Sequence, residues 1–328
     1  MTLSGIAGSH SKSIMSNLDN LLRKAGELTR QNFGKRLTAY LPGMFLYDGI
    51  KGRYPALSIT GRECSLRCDH CMGIILHSMI PAESPEKLVE KAIRLEEDGN
   101  HGILISGGCD LEGRLPWKLF IPAIREIKDK TGLYVSIHCG ILDDQTARNL
   151  KESGVDQALI DVIGDDETYR RIFHVDFGVS MIIDTMKTLK RAGIPIIPHV
   201  VCGIFHGRIK SEKKAIEMIS RFDPEQLVVV SLMAIPGTPF ERVNTPRAED
   251  VAGIIAEARL LMPDTLISLG CARHRGDSRM EILAIDAGIN RIAIPSEEAL
   301  YHAKKQGVEI RYQRTCCSVS RDFSNAIW

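Results

Sequence analysis

The 328-residue sequence has no run of about 18 apolar residues, so it offers no segment of the length a membrane-spanning helix needs. It also lacks a surplus of charge: 42 Lys and Arg stand against 41 Asp and Glu, a formal net charge of +1. That balance gives no electrostatic footing on nucleic acid or an anionic membrane, and neither is expected as a partner. The opening MTLSGIAGSHSKSIM has no basic stretch leading into an apolar one. No signal peptide is read there, and a cytoplasmic location is the expectation. No low-complexity linker divides the main region. With a 44% hydrophobic fraction, the chain suits one large α/β domain with short extensions.

What is present alternates. Short apolar runs fall at 56–60, 102–106, 134–138, 158–162, 196–201, 227–232, 266–270 and 291–294. Amphipathic helical patterns separate them, among them SPEKLVEKAIRLEEDG and SMIIDTMKTLKRAG, and several end in Gly as helix C-termini often do. Eight strand–helix units of about 30 residues predict parallel strands in a closed (β/α)8 TIM-type barrel, with an open doubly wound sheet as the alternative. Residues 12–33 place Ile14, Leu18, Leu21, Leu22 and Leu28 on one face and predict a helix ahead of the barrel. The expected organisation is an N-terminal helical extension over 1–50, a barrel over 51–300 and a C-terminal tail over 301–328.

Nine cysteines are unusual for a chain of this kind, and an odd number argues against a disulfide framework. Any one of them reads most plainly as a small buried hydrophobe. Placement points further. Cys64, Cys68 and Cys71 lie in GRECSLRCDHCMG, spaced C-x3-C-x2-C just after the first predicted strand. Three thiolates ligate three irons of a [4Fe–4S] cubane and leave the fourth iron open. Zinc is the rival, but it favours four ligands, and His70 is too close to Cys71 for easy tetrahedral closure. Three more cysteines sit at predicted strand ends: Cys109 in LISGGCD, Cys139 in VSIHCG and Cys202 in PHVVCG. The seventh strand ends in LGCARHR, with Cys271, Arg273 and Arg275. Carboxyl ends ring one mouth of a barrel, so these side chains suggest a second, auxiliary iron–sulfur cluster, [4Fe–4S] or [2Fe–2S].

The first cysteine spacing resembles the signature of the radical S-adenosylmethionine (SAM) superfamily. From about residue 55 to 295 the chain is also similar to biotin synthases, notably in DTMKTLKRAGIPIIPHVVCG, LMAIPGTPFE and ARLLMPDTLISLGCARHR. The resemblance implies SAM bound at the open iron and a radical that removes hydrogen from an unactivated C–H bond. It implies that Cys109, Cys139, Cys202 and Arg273 hold the sulfur-donating auxiliary cluster. Gly107 and Gly108 resemble glycines beside the SAM amino group, although a plain strand–helix turn would use Gly too. Asp161 is a candidate contact to SAM or substrate, with helix capping as its alternative role. Gly203 is a candidate to border the adenosine.

Two features depart from biotin synthases. ALIDVIGDDETYRRIFHVD replaces an Asn-rich YNHNLDT signature, and the tail RTCCSVSRDF carries Cys316 and Cys317. These two are read as additional cluster ligands or a sulfur relay, or else as an inert tail. Together the departures look like a subunit of the two-component lipoyl synthases. That likeness implies an octanoylated carrier protein or a small molecule as substrate, a second radical SAM subunit and a reductant protein. The alternatives are sulfur insertion of the biotin-synthase type, a radical SAM enzyme like the hydrogenase maturases, and a non-enzymatic iron–sulfur carrier.

Overall fold

The computed structural model describes residues 4–276, 278–325 and 327, with side chains from residue 17 onward. Thirteen strands follow in order: β1 (Arg36–Tyr40), β2 (Leu46–Tyr47), β3 (Ile50–Lys51), β4 (Ala56–Ser58), β5 (Ile80–Pro81), β6 (Gly102–Ser106), β7 (Tyr134–His138), β8 (Gln157–Asp161), β9 (Ile196–Cys202), β10 (Gln226–Ser231), β11 (Leu266–Leu269), β12 (Arg291–Ala293) and β13 (Glu309–Gln313). The eight predicted strands are β4 and β6 to β12. Apart from a small β2–β3 hairpin, all strands join one parallel sheet, in the order β13-β1-β12-β11-β10-β9-β8-β7-β6-β4-β5. The fold is the expected TIM-type α/β architecture. Its sheet is curled into a half-barrel instead of a closed ring. In a ring β12 would pair with β4. Here β12 pairs with β1, and the free edge of β4 is taken by β5.

Helices cover the outer face, and local sequence sets their ends. Ser84 and Asp143 accept the backbone N–H groups of Lys87 and Thr146, capping Pro85–Glu97 and Asp144–Glu152. Gly193, at φ 69°, ends Val179–Ala192 in the left-handed conformation that glycine adopts without strain. The N-terminal helix runs Ser4–Phe33, longer than predicted. It lies against Ala248–Leu261 and Ser278–Asp286. At Gly26 a Cβ would sit 2.6 Å from Asp286 O, so only glycine permits that approach.

Side chains alternate across the sheet. Val135, Ile137 and Cys139 join the outer core, between sheet and helices. His138 faces the interior, as do Ile197, His199 and Val201 on β9. The interior is not filled. It holds two adjacent cavities of about 190 and 270 Å³. No helix among the described residues is long and apolar enough to cross a membrane.

Candidate active site

The loop after β4 carries Cys64, Cys68 and Cys71, and short backbone bonds hold its shape. The amides of Cys71 and Met72 both donate to Cys68 O, at 3.1 and 2.8 Å. Arg67, Met72 and Gly73 take positive φ, which wraps the loop tightly. It is braced on two sides. Ser65 N donates to Cys109 O at 2.8 Å, and Asp69 N donates to Ile172 O at 2.9 Å. Thr60 Oγ1 accepts the Gly108 amide at 2.7 Å and donates to Glu63 O at 2.9 Å. A Cβ on Gly108 would fall 2.0 Å from Glu63 O and 2.5 Å from Cys64 Cα. The glycine therefore lets the β6 turn touch the cysteine loop, and Gly107 lines the cavity beside it.

The Sγ atoms of Cys68 and Cys71 and one ring nitrogen of His70 lie within 4.8 Å of one another. Cys64 lines the same cavity. The proton between Cys68 and Cys71 stays with Cys68, because their mutual hydrogen bond raises the Cys68 pKa and lowers that of Cys71, further aided by His70. His70 Nδ1 is buried without a partner. Clustered thiols, a ready thiolate and an unsatisfied imidazole nitrogen form a donor set that a soft metal centre completes.

Asp161 ends β8 and borders both cavities, with His138 Nε2 3.5 Å from its Oδ2. His138 stacks on His199, ring centroids 6.0 Å apart. Burial lowers the His199 pKa to about 4, against an opposing pull from Asp161, so this ring is neutral at physiological pH.

The auxiliary set expected from sequence does not assemble. Cys139 and Cys202 are wholly buried in the outer core, under the helices. Cys139 Sγ donates to Gly140 O at 3.2 Å, and burial raises both thiols well above their usual pKa. Cys109 lines the upper cavity near Cys64, its pKa pushed up to about 12 by burial. Arg273 is also committed elsewhere. Its guanidinium donates to Gly270 O at 2.6 Å, Ala293 O at 2.7 Å, Ile294 O at 3.1 Å and Glu281 Oε1 at 2.5 Å. The Gly203 amide donates to Glu212 Oε1 at 2.7 Å, and Gly203 lines neither cavity. Instead, the lower cavity gathers Cys271, Cys316 and Cys317. Cys271 at the end of the seventh strand and Cys316 and Cys317 in the tail are each visible in the sequence, but their sharing of one cavity is not. The missed signal is polar residues at strand starts, Gln157, Gln226 and Arg291, where apolar filler is the rule.

A half-barrel with a three-cysteine loop after its first inner strand defines a radical SAM enzyme. Residues 58–222 match the Radical SAM superfamily, and the chain belongs to it. Residues 229–324 match the Biotin and Thiamin Synthesis associated domain. The chain is 29% identical to a biotin synthase of Rickettsia felis over 245 residues, 72% of this chain and 77% of that one. It is 26% identical to a biotin synthase of Nitrosopumilus maritimus over 290 residues, 84% of this chain and 81% of that one. Among solved structures, methylornithine synthase superposes with a TM-score of 0.61 at 20% identity, covering 85% of this chain and 77% of that chain. A maturase of the [FeFe]-hydrogenase gives 0.63 at 16%, covering 89% and 68%. These two show the shared fold. The donor set at Cys64, Cys68 and Cys71 fits the [4Fe–4S] cluster and SAM of this superfamily.

Proposed function

We propose that this radical SAM enzyme inserts sulfur at unactivated C–H bonds of an octanoyl chain on a carrier protein, forming a lipoyl group, with an auxiliary iron–sulfur cluster as sulfur source. Its partners in this reading are the octanoylated carrier, a second radical SAM subunit and a reductant protein. The observation that carries it is the chamber between two groups of thiols. Its walls include Ile75, Leu104, Leu159, Val201 and Val230. Such walls suit a saturated chain whose only reactive handle is C–H. Cys64, Cys68 and Cys71 would hold the first cluster. With SAM bound, the chemistry supplied there is one-electron cleavage of a sulfonium to a hydrogen-abstracting radical. The protein's residues prepare the space. Thr60 and Gly108 hold the cysteine loop against the β6 turn. Asp161 and His138 offer polar contacts at the junction of the cavities. The neutral His199 adds no charge of its own to the lower chamber.

The similarity to biotin synthases favours a second reading, in which the same chemistry acts on a small molecule. One experiment separates the two. Anaerobically reconstituted protein is incubated with SAM, dithionite and an octanoylated lysine peptide, with and without a candidate second subunit, and the peptide is weighed by mass spectrometry. The lipoyl reading expects a gain of one or two sulfur atoms per peptide, with 5′-deoxyadenosine formed. 5′-Deoxyadenosine without sulfur in the peptide, in both arms, rejects the octanoyl substrate. No SAM cleavage at all rejects sulfur insertion by either route.

A further inference from the structure

We infer that the β2–β3 hairpin is a docking platform for the protein that carries the acyl chain, and that the chain enters the chamber beside it, between Met44 and Ile75. The carrier's identity rests on the octanoyl reading of the substrate; the platform rests on exposure and packing. The sheet does not close: β5 lies at one edge, and β13 and β1 lie at the other. Met44 follows β1, and Ile75 belongs to the short helix Ile74–Ser78 that precedes β5. The two residues therefore come from opposite sides of the gap. Ser78 bridges them, its Oγ 2.9 Å from Ile75 O and 3.6 Å from Met44 Sδ. Ile75 lines both cavities, and Met44 lines the lower one. Both are 44% exposed, whereas the other residues lining either cavity are buried or half-buried. A side chain that is at once cavity wall and outer surface marks a mouth.

The hairpin extends this mouth outward as a fixed apolar surface. Leu46 opens β2, two residues after Met44, and is 70% exposed. It lines neither cavity. The base of the hairpin is sewn down. Gly43 N donates to Tyr54 O at 3.2 Å, Gly52 N to Phe45 O at 3.3 Å and Arg53 N to Arg314 O at 2.6 Å. Arg314 Nε donates to Lys51 O at 2.9 Å. A Cβ on Gly43 would fall 2.4 Å from Pro55 N, and one on Gly52 would fall 2.3 Å from Pro42 O, so the two arms meet backbone to backbone. A flap that swings open would not be held in this way. Met44, Leu46 and Ile75 thus offer exposed apolar surface at a cavity mouth, the kind of place that marks an interaction site. Position selects the occupant. A second copy of this chain, or a subunit bound for long, would stop the mouth and exclude substrate. The patch is also small, whereas lasting interfaces are far larger. A carrier that docks briefly and threads its chain past Met44 and Ile75 meets both conditions. The chain enters by its methyl end, because the carrier cannot follow it, and the lysine amide stays at the rim.

The test uses the full chain, reconstituted anaerobically with iron and sulfide and supplied with SAM, dithionite and a candidate second subunit. Two substrates are compared: an octanoylated lysine peptide, and a folded carrier domain octanoylated on its lysine. Sulfur gained is followed by mass spectrometry to give KM and kcat. Leu46→Glu puts a charge on the platform and is expected to raise KM for the carrier domain at least about 10-fold, with the peptide KM within about two-fold of the parent. Met44→Trp with Ile75→Trp narrows the mouth and should raise KM for both substrates by about 10-fold or more. Leu119→Glu, at a leucine 56% exposed on the outer helix Trp117–Lys130, should change neither. Near-UV circular dichroism checks folding. Leu46→Glu alters only an exposed side chain, so it decides the matter if the double variant fails to fold. A carrier KM that Leu46→Glu leaves at the parent value, or that Leu119→Glu raises as much, overturns the platform. An equal rise for peptide and carrier in Leu46→Glu also overturns it, because the hairpin then serves contact with a second copy or subunit. Parent KM values in a folded double variant place the entrance elsewhere and overturn the route. A parent that adds sulfur to neither substrate refutes the octanoyl reading, and the carrier platform falls with it. A parent that sulfurates the peptide keeps that reading whatever the hairpin variants show, so the two failures are told apart.

Discussion

The two groups of thiols facing the chamber are built in opposite ways. Cys64, Cys68 and Cys71 fall within eight consecutive residues, in a loop that closes largely on itself. Cys271 meets Cys316 and Cys317 across 45 residues of chain, and four strands of the sheet supply the side chains that hold them. The upper group is a local device set on a finished scaffold. The lower group exists only once β1, β8, β10 and β12 are in register. Chemistry and stability should therefore be separable above and coupled below, and substitutions that test this have unequal effects.

The largest effect is expected above. Cys68→Ser removes one of the three thiolates, and SAM cleavage should fall by at least about 100-fold, read as 5′-deoxyadenosine per chain. Stability should change little, by about 1 kcal/mol, because only one small buried side chain is altered. A variant that lost several kcal/mol in denaturant melts would show that the upper loop is not the local device described.

Below, the prediction reverses. Arg291 is 7% exposed and donates to Gln226 Oε1, Val319 O and Ser320 O. Arg291→Met keeps the bulk but leaves those acceptors buried and unpaired, at about 1–3 kcal/mol for each. A total loss of about 3–5 kcal/mol is expected from urea or guanidinium melts. Amide exchange at residues 316–320 should accelerate with it. A loss below about 1 kcal/mol, in the range of ordinary surface changes, would mean that the tail is not anchored through this guanidinium.

The same contrast explains what could be read in advance. The eight inner strands were legible because fully buried parallel strands are continuous apolar runs. The upper thiols were legible because their spacing is local. That apolar continuity hid the direction of Cys139 and Cys202. When both faces of a strand are buried, no polar alternation shows which residues point inward, and a shift of one position exchanges the faces. His138 and Cys139 are adjacent, yet one faces the chamber and the other the helices. The two strands beyond β12 escaped for another reason. RLTAY of β1 and EIRYQ of β13 are short and partly polar, and they become strands by pairing with each other and with β12. The lower thiols were individually visible, but their meeting depends on those same pairings.

The smallest effect concerns the space between the groups. His199 sits on the inner face of β9, and its ring is held neutral by burial with a pKa of about 4. The titratable groups facing it are Asp161, which favours the charged ring, and His138, which opposes it. An unfolded histidine titrates near its ordinary value of 6.5. As pH falls below that, the unfolded chain takes up a proton that the native ring refuses. The stability due to the neutral ring is thus complete above pH 6.5 and is lost progressively between 6.5 and 4. At pH 5 the loss should be about 2 kcal/mol, from 1.36 kcal/mol for each unit of the interval crossed. His199→Gln should flatten the difference between guanidinium melts at pH 7.5 and pH 5 by about that amount. If parent and variant lose stability equally over this range, water reaches the ring. The chamber between the two groups of thiols would then lack the dryness that protects a carbon radical on its way to sulfur.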